Sequence, residues 1–499
     1  MEKLTRTALR LRTSICGAIV FCALTVIASH AQTLTTLLSF NKTDGYAPNA
    51  PLIQGFDGKL YGTTGAGGAN GDGTVYKITL DGTLTTVHNF CSQNVHGSCI
   101  DGRTPGAGVV QGTNGVFYGA ANEGAYGLGN VFQMTASGKV TTLHSFCSQS
   151  GCLDGETPEG ALMQATDGNL YGTTEFGGTD KGDGWGGTIF EITPAGTFTT
   201  VYNFCSLPNC ADGQAPYAPL IQARNGSLYG VTSAGGGSSN CQLGCGTVFE
   251  LSASGSLTTL HTFSLSDGAG PSGLMQGADG NLYGTTYSGG TGSGSVCQNG
   301  CGTIFKITPA GGFTILHNFC TQANCSDGAV ANGLILATDG NFYGTTFYGG
   351  NYISEGTIFR MTPQGSFTTL YAFCSQTGCP DGQYPGELLQ DTDGNFYGVA
   401  EQGGSGLNGY GTIFRFSTGL APFVKLVRDS GKVGQVGGIL GQGFTGTTGV
   451  FLNGTPATFT VASDTYIQST VPAGASSGYV TVQTPSGTLI SNLPFQLTP

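Results

Sequence analysis

Seven pairs of residues that differ between copies of one short motif are the strongest candidates for chemistry in this sequence. They are Gly65/Ala66, Asn122/Glu123, Glu175/Phe176, Ser233/Ala234, Tyr287/Ser288, Phe347/Tyr348 and Glu401/Gln402. Aromatic rings stack on sugar faces, and carboxylates and amides hydrogen-bond to hydroxyl groups. The pairs therefore predict a surface that binds a neutral sugar or polymer, and simple tolerance of variation in a loop is the alternative. The candidate binding residues are Glu175, Phe176, Tyr287, Phe347, Tyr348 and Glu401.

Carboxylates within this set could also perform acid–base chemistry. Glycoside hydrolases use two carboxyl groups that flank the scissile bond, and Glu123, Glu175 and Glu401 could supply them. A polysaccharide lyase or glycoside hydrolase is the enzymatic alternative to a secreted, non-catalytic binding or scaffold protein. A structural component of a matrix or surface is the third hypothesis. No residue is assigned as catalytic.

The histidines do not favour a nucleophilic site. Four of them occupy one position of the repeat, where other copies carry leucine or tyrosine; they are His88, His144, His261 and His317. A residue that recurs from copy to copy is a poor catalytic candidate, because catalysis needs unlike residues at one place. The Gly-x-Ser-x-Gly motif at residues 474–478 lies between predicted strands rather than on a strand–helix elbow.

One short motif raises the question of metal binding. Asp391-x-Asp393-Gly394-Asn395 is similar to a calcium loop, but its last three residues are also the turn of the repeat. We interpret it as a turn. The sequence contains no G-x-x-x-x-G-K-[ST] motif for phosphate. No cofactor and no metal are expected.

The elements that must position these residues form a tandem repeat. Residues 279–286 read Asp-Gly-Asn-Leu-Tyr-Gly-Thr-Thr, and near-copies recur every 53 to 60 residues. Their tyrosines are Tyr61, Tyr118, Tyr171, Tyr229, Tyr283, Tyr343 and Tyr397. A regular period of this length indicates a repeat architecture. Each copy combines an Asp-Gly or Asn-Gly turn with residues that favour strands.

Four strand-like segments, named A to D from the inside outwards, recur in each period. In the third copy they are Gly160–Gln164, Leu170–Thr174, Gly187–Thr193 and Phe198–Phe204. Four antiparallel strands joined by hairpins are typical of a propeller blade. The sequence therefore predicts an all-β fold with a seven-bladed β-propeller.

The order of the segments predicts how the ring closes. A D-type segment, Leu34–Phe40, precedes the first A segment, and the last C segment, Thr412–Phe416, has no D segment after it. We predict that Leu34–Phe40 forms the outer strand of the last blade, because this arrangement leaves no open edge. An open β array is the alternative.

Loop lengths distinguish two faces of the predicted ring. The A–B and C–D turns are short, whereas the B–C and D–A loops are long and open on one side, where function is expected. Seven close cysteine pairs lie in these long loops: Cys91/Cys99, Cys147/Cys152, Cys205/Cys210, Cys241/Cys245, Cys297/Cys301, Cys320/Cys325 and Cys374/Cys379. In an exported protein such pairs indicate local disulfides rather than metal sites.

The N-terminal residues 1–31 are predicted to be a signal peptide, with a basic start, an apolar run and a cleavage site after Ala31. We expect a secreted protein without a membrane span, in the extracellular space or the periplasm. Without the signal, 13 basic and 28 acidic residues remain. Nucleic acid and anionic membranes are therefore poor partners. A polysaccharide or another extracellular protein is the expected partner.

A change in composition near Leu420 marks a second domain. The Tyr-Gly repeat and the cysteines stop, and short alternating strands separated by turn residues predict a small β-sandwich. The predicted organisation is therefore a signal peptide at 1–31, a propeller at 32–419 and a sandwich at 420–499.

Two family resemblances accompany these predictions. The unit Asp-Gly-Asn-Leu-Tyr-Gly-Thr-Thr, followed by Gly-Thr-Ile-Phe-Lys-Ile-Thr-Pro, resembles the GloVer tandem-repeat family of exported bacterial proteins over residues 34–417. That family carries no established activity, and its usual surface-anchoring signals are not visible here, so we expect a released protein. Motifs such as Gly441–Phe444 and Val471–Gly474 resemble an IPT/TIG domain. This second resemblance implies an immunoglobulin-like fold that serves as a spacer or binding accessory.

Overall fold

The computed structural model describes residues 32–498 except 126, 149, 180–185, 351–354 and 406–408. The predicted signal peptide lies outside the described residues. Within them the structure is almost entirely β, with short 3-10 turns at Pro208–Cys210 and Ala323–Cys325. None of the described residues belongs to a helix long and apolar enough to cross a membrane.

Seven antiparallel sheets, numbered here in the order of their A strands, occupy the described residues up to Ser417, and each contains strands in the order A, B, C and D. The A strands are Ile53–Gln54, Val110–Gln111, Met163–Gln164, Ile221–Gln222, Ala269–Gln276, Ala329–Leu336 and, in two pieces, Gln383–Pro385 with Leu389–Gln390. The B strands are Leu60–Thr64, Phe117–Ala121, Leu170–Thr174, Leu228–Thr232, Leu282–Ser288, Phe342–Tyr348 and Phe396–Gln402. This set of four-stranded sheets is propeller-like.

The outer half of each sheet is formed by the C and D strands. The C strands are Thr74–Ile78, Asn130–Met134, Thr188–Ile192, Thr247–Leu251, Thr303–Ile307, Thr357–Met361 and Thr412–Ser417. The D strands of sheets 1 to 6 are Leu84–Asn89, Val140–Ser145, Phe198–Asn203, Leu257–Thr262, Phe313–Asn318 and Phe367–Ala372. A small hairpin, Asn94–Val95 with Ser98–Cys99, lies in the first cysteine loop.

The D strand of sheet 7 comes from the start of the described chain. Thr33–Ser39 pairs antiparallel with Thr412–Ser417 and shifts register between Thr36 and Leu38. The other C–D pairs shift at the equivalent point, for example between Ile189 and Phe190. The N-terminal strand therefore occupies the same structural position as the D strands of the other sheets.

Each B strand carries a glycine because an aromatic ring of the C strand lies over it. A Cβ atom built on Gly172 would lie 2.5 Å from the ring of Phe190, too close for any other residue type. The same relation holds for Gly62 with Tyr76, Gly119 with Phe132, Gly230 with Phe249, Gly284 with Phe305, Gly344 with Phe359 and Gly398 with Phe414. All seven rings are fully buried.

The same rings contact a phenylalanine that follows the D strand of the neighbouring sheet, with centroids 5.2 to 5.5 Å apart. The pairs are Phe40–Tyr76, Phe90–Phe132, Phe146–Phe190, Phe204–Phe249, Phe263–Phe305, Phe319–Phe359 and Phe373–Phe414. Edge-on contacts of this kind suit the charge distribution of aromatic rings. The first pair joins sheet 7 to sheet 1.

Glutamines at the ends of the A strands link neighbouring sheets at the short-turn face. The backbone N–H of Phe56 in sheet 1 donates to Oε1 of Gln111 in sheet 2, at 2.8 Å. Equivalent bonds join sheets 2 to 3, 3 to 4, 4 to 5 and 6 to 7. Sheet 6 carries Leu336 at this position. Each glutamine thus satisfies a turn donor that would otherwise lack a protein partner.

The histidine and tyrosine side chains of the D strands each contact an aspartate in the following D–A loop, and this aspartate stabilises the loop. Tyr202 donates to Asp212 at 2.9 Å, and the buried Asp212 also accepts the N–H groups of Ser206 and Leu207. The histidines make the corresponding contacts in the pairs His88–Asp101, His144–Asp154, His261–Asp267 and His317–Asp327. These side chains organise loops, which accounts for their repetition.

All seven expected cysteine pairs form disulfides in the described residues. They are Cys91–Cys99, Cys147–Cys152, Cys205–Cys210, Cys241–Cys245, Cys297–Cys301, Cys320–Cys325 and Cys374–Cys379. Five close D–A loops and two close B–C loops, each spanning four to eight positions. Disulfides at this density are consistent with an extracellular protein.

Cys245 does more than close its own loop. It lies at the end of the B–C loop, just before the C strand of sheet 4, and is only 1 % exposed. Its carbonyl accepts the N–H of Gly270, in the A strand of sheet 5, at 3.0 Å. Its Sγ lies 3.6 Å from the hydroxyl oxygen of Ser238. Cys245 therefore also joins two neighbouring sheets.

Cys379 also makes contacts beyond its own disulfide. Its φ of 47° places its backbone in the left-handed region, and its carbonyl accepts two N–H groups, from Gly382 at 2.9 Å and Gly404 at 2.8 Å. Its Sγ lies 3.4 Å from Oε1 of Gln383. Because Gly404 follows the B strand of sheet 7, Cys379 connects the D–A loop to the B–C loop. The sequence identified the disulfide partner but not this link between loops.

The C-terminal residues form two further four-stranded sheets that share one hydrophobic core. One sheet contains Lys425–Leu426, Val436–Leu440, Tyr466–Thr470 and Phe459–Ser463, and the other contains Thr455–Pro456, Gly449–Leu452, Val480–Thr484 and Gly487–Ile490. A short parallel pair, Ser430–Gly431 with Gln496–Leu497, lies beside them. Val424, Phe444 and Ile467 are fully buried in the core between the sheets.

These C-terminal sheets contact the A–B turns of the propeller-like part. Phe56 of sheet 1 stacks on Tyr466, with centroids 4.4 Å apart and planes 5° apart, and its carbonyl accepts the hydroxyl of Thr465. Arg428 donates to the carbonyl of Thr166 in sheet 3 at 3.2 Å. The short-turn face, to which the sequence assigned no role, therefore supports the C-terminal sheets.

The motif considered for calcium lies at this junction and forms the A–B turn of sheet 7. Asp393 N–H donates to Asp391 Oδ1, and Gly394 N–H donates to the Asp391 carbonyl. Gln442 also donates to Asp391 Oδ1, at 3.3 Å. Burial and the neighbouring Asp393 raise the pKa of Asp391 to about 7, against the opposing influence of Lys425.

We predict that the N-terminal strand is essential for stability. Phe40 is 4 % exposed at the junction with Tyr76, so Phe40→Ala should cost about 3–5 kcal/mol in the free energy of unfolding. Deletion of residues 32–40 should lower the melting temperature further, because it uncovers the edge of Thr412–Ser417. Thr33→Ala, at an exposed position, is the control. An unchanged melting temperature in the deletion variant would contradict this role.

We also predict that the chain without residues 1–31 contains no free thiol. Each short loop should gain roughly 2 kcal/mol from its cross-link by chain entropy. Mass spectrometry of peptides from non-reduced protein should find the seven local linkages. A long-range linkage such as Cys91 to Cys147 would be the contrary result.

Candidate functional site

A cavity of about 270 Å³ opens among the segments that lead into the A strands, on the long-loop face. Its polar lining residues are Asn49, Asn122, Glu159, Tyr217, Ser272 and Glu387. They come from six of the seven sheets. Asn49, Glu159 and Tyr217 precede A strands, Asn122 follows a B strand, Ser272 lies within an A strand, and Glu387 lies between the two pieces of one. We call this cavity the axial cavity.

Two carboxyl groups of sheet 3 lie near each other, and one of them, Glu159, lines the axial cavity. Glu159 precedes the A strand, accepts a hydrogen bond from Asn122 Nδ2 at 3.4 Å, and has a pKa raised by burial. Glu175 follows the B strand of the same sheet. Burial and the nearby charge of Glu159 raise the pKa of Glu175 to about 7. A carboxylic acid that holds its proton near neutral pH therefore stands beside a second carboxyl group.

Glu387 and Tyr217 complete the acidic lining. Glu387 accepts the backbone N–H of Gly333, but its burial outweighs this bond and raises its pKa. Burial also raises the pKa of Tyr217, and the negative charges of Glu159, Glu175 and Glu387 add to the effect. Tyr217 thus remains a neutral hydroxyl that can donate to a ligand.

An aromatic cluster lies beside these carboxyl groups. Phe347 stacks on Tyr384, with centroids 4.7 Å apart and planes 11° apart, and Tyr348 meets both rings edge-on. Tyr287 and Glu401 interact electrostatically with Tyr348, and Tyr287 also interacts with Tyr217. With 56 % of its surface exposed, Tyr287 offers an open ring close enough to Tyr348 of the cluster and to Tyr217 of the axial cavity to interact with both electrostatically.

The structure separates the residues proposed from the sequence into two groups. Tyr287, Phe347, Tyr348 and Glu401 lie near one another, and burial raises the pKa of Glu401. Glu175 lies by the axial cavity, whereas Glu123 pairs with Arg103 at 2.5 Å. Phe176 pairs with Glu156 through backbone hydrogen bonds between the D–A and B–C loops, and these bonds fix the position of its backbone. The binding role of the first group remains a proposal.

Four residues of this region escaped the sequence reasoning: Glu159, Tyr217, Tyr384 and Glu387. Glu159 and Tyr217 precede an A strand, Tyr384 lies in the first piece of the A strand of sheet 7, and Glu387 lies between the two pieces of that strand. Each of the four is next to or within two positions of a proline that recurs there. They vary between copies as sharply as the pairs after the B strands do, so the same search for variation within the repeat would have found them. Nothing in the sequence shows that the variable residues near these prolines lie close in space to the variable pairs that follow the B strands.

The described residues therefore define an all-β protein of tandem four-stranded repeats with a propeller-like arrangement. The chain belongs to the Gloeobacter/Verrucomicrobia repeat family, whose sequence model matches residues 17–181, 150–324 and 293–451. This confirms the repeat family inferred from the sequence. No curated protein matches the chain.

Several solved structures are similar to this one only distantly. A protein provisionally named a gluconolactonase has a TM-score of 0.36 at 12 % identity, covering 79 % of this chain and 94 % of that one. A protein of unknown function from Bacteroides thetaiotaomicron has a TM-score of 0.38 at 17 % identity, covering 70 % and 82 %. A luciferin-regenerating enzyme has a TM-score of 0.39 at 10 % identity, covering 79 % and 98 %.

We predict that Glu175 makes the stability fall as the pH rises from about 4.5 to about 7. In this window the folded protein retains a proton that the unfolded chain has released, so the unfolded state binds fewer protons and gains relative stability with pH. Denaturant unfolding of Glu175→Gln at several pH values should show a flatter profile than the wild type. Glu159→Gln should lower the pKa of Glu175, as measured by carboxyl-carbon NMR.

The control for this experiment is Glu250→Gln on the C strand of sheet 4, away from the axial cavity. This variant should show the same fall in stability between pH 4.5 and 7 as the wild type. Parallel profiles for wild type and Glu175→Gln would show that Glu175 titrates normally.

Proposed function

We propose that this chain is a secreted binding protein that recognises a polysaccharide on its long-loop face. The exposed ring of Tyr287, within electrostatic range of both the aromatic cluster and Tyr217 of the axial cavity, is the observation that carries the proposal. Stacking on a sugar face would use the rings, and the carboxyl and amide groups of the cavity would hydrogen-bond to hydroxyl groups. Another extracellular protein is the second possible partner.

The proposal includes a closed architecture that presents this face. The seven sheets form a seven-bladed β-propeller over residues 32–419, closed by the strand at 34–40, and residues 420–499 form an immunoglobulin-like IPT/TIG domain. The repeated ring contacts, including Phe40 with Tyr76, support the closure. The seven disulfides support export by a signal peptide at 1–31.

A glycoside hydrolase or polysaccharide lyase is the second candidate, and the Glu159–Glu175 pair favours it. Cleavage of a glycosidic bond by two carboxyl groups needs one protonated and one ionised group. The raised pKa of Glu175, caused by burial and by Glu159, would keep a proton available near neutral pH. In this hypothesis Glu175 donates the proton and Glu159 is the second carboxylate.

The first test is binding. A glycan array with plant and microbial polysaccharides should identify a ligand, and Tyr287→Ala and Phe347→Ala should each weaken its binding. Each well-placed ring is worth about 1 kcal/mol beyond its buried area, or roughly fivefold in Kd. Tyr479→Ala is the matched control, because Tyr479 is 50 % exposed on the C-terminal sheets. Undiminished affinity in the double variant would place the site elsewhere.

Turnover distinguishes the two candidates. The ligand found on the array is incubated with wild type and with Glu175→Gln, and reducing ends and unsaturated products are measured. Products from the wild type that disappear in Glu175→Gln, while binding persists, would establish an enzyme. Binding without products supports a binding protein.

A further inference from the structure

We propose that the cleft between the C-terminal sheets and the A–B turns of sheets 3 and 4 binds a sugar that carries an oxyanion, either a carboxylate or a sulfate. The cleft holds a cavity of about 330 Å³, which lies within the range of roughly 300–1,000 Å³ usual for small-molecule sites. It lies on the short-turn face, so it is a separate site from the long-loop face.

Positive charge is concentrated in this cleft. Only 13 basic residues follow residue 31, and three of them, Arg224, Arg428 and Lys432, line the cavity. Residues 420–499 contain three basic and two acidic residues, and all three basic ones lie within 425–432. In a strongly acidic chain this clustering favours a single anionic group, while the surrounding charge disfavours long polyanions.

Arg428 has an unused donor in the cleft. One of its terminal nitrogens donates to the Thr166 carbonyl at 3.2 Å, while its Nε is buried and has no hydrogen-bond partner among the described residues. A buried guanidinium donor without a partner is unfavourable. A small rotation of the half-buried side chain would expose Nε to the cavity, where an oxyanion would satisfy it, because the planar guanidinium matches the two oxygens of a carboxylate or sulfate.

The remaining lining residues leave the cleft positive. The Arg224 side chain donates a hydrogen bond to the carbonyl of Ala278, in the A–B turn of sheet 5, at 3.3 Å. Asp167 and Asp429 also line the cavity. The Asp167 carboxylate already accepts the Asn169 N–H and the Tyr171 hydroxyl, both at 2.9 Å. Three cationic side chains therefore face two carboxylates, one of which is occupied by its own turn.

A second cavity, of about 300 Å³, adjoins the first and contains room for the uncharged part of a sugar. The two cavities share Thr166, Gln222, Arg428 and Asp429. The second adds apolar lining from Met163, Leu220, Leu426 and Leu493. Arg428 thus stands between a polar, positive compartment and a partly apolar one, which suits an acidic sugar better than a free inorganic anion.

Calorimetric titration with three probes tests this site: a galacturonate disaccharide, a neutral galactose disaccharide and sodium sulfate. The wild type should bind the acidic disaccharide at least tenfold more tightly than either of the others. Arg428→Gln should lower that affinity at least tenfold, and Arg428→Lys should lower it less, because the charge remains without the two-pronged geometry. Arg360→Gln, on the C strand of sheet 6, is the matched control and should bind normally.

Two further variants test whether a loss of binding comes from the cleft itself rather than from unfolding or from the long-loop face. Lys432 is exposed, so Lys432→Gln should weaken binding without lowering the melting temperature, even if Arg428→Gln destabilises the fold. Tyr287→Ala should leave binding in the cleft unchanged, which separates this site from the long-loop face. Absence of binding by the acidic disaccharide, or equal binding of the neutral one, would overturn the proposal. Sulfate binding as tight as that of the disaccharide would overturn recognition of the sugar.

Discussion

The packing of one aromatic ring per sheet is the contact on which the rest of this structure depends. The ring of the C strand lies over the B-strand glycine on one side, and it meets a phenylalanine of the neighbouring sheet edge-on. The glycine permits this because it lacks a Cβ, and the cost of a glycine in a strand is offset by burial of a complete ring. Gly172, Phe190 and Phe146 illustrate this arrangement.

This contact sets the distance and orientation between neighbouring sheets. It therefore also sets the positions of the A strands, which form the inner edges of the sheets. Once the outer halves of the sheets are fixed, the A strands and the segments before them must converge. That convergence brings Glu159, Tyr217 and Glu387, from three different sheets, to one cavity. Their raised pKa values follow from the same cause, since burial among converging segments disfavours charge.

The two faces of the sheets have different physical roles. On the long-loop face, buried aspartates such as Asp212 and the disulfides hold irregular loops in place, which frees other loop positions to vary. On the short-turn face, glutamine side chains and turn donors link sheet to sheet, and the regular surface supports the C-terminal sheets through Phe56 and Tyr466. Variation is therefore tolerated on one face, and docking occurs on the other.

The sequence by itself determined the repeat, the type of strands and the cysteine pairs. The period, the Asp-Gly turns and the alternating residues are local signals, and cysteines four to eight positions apart can meet without knowledge of the fold. It also pointed to Tyr287, Phe347 and Tyr348, because variation within a repeat is visible along the chain. Only tertiary structure decided that Glu175 lies near Glu159 and that Tyr384 stacks on Phe347. It likewise decided that Arg428 meets the turn at Thr166. These contacts join residues that are far apart in sequence, and that separation does not show how close they lie in space. Their geometry depends on how the sheets pack around the converging A strands.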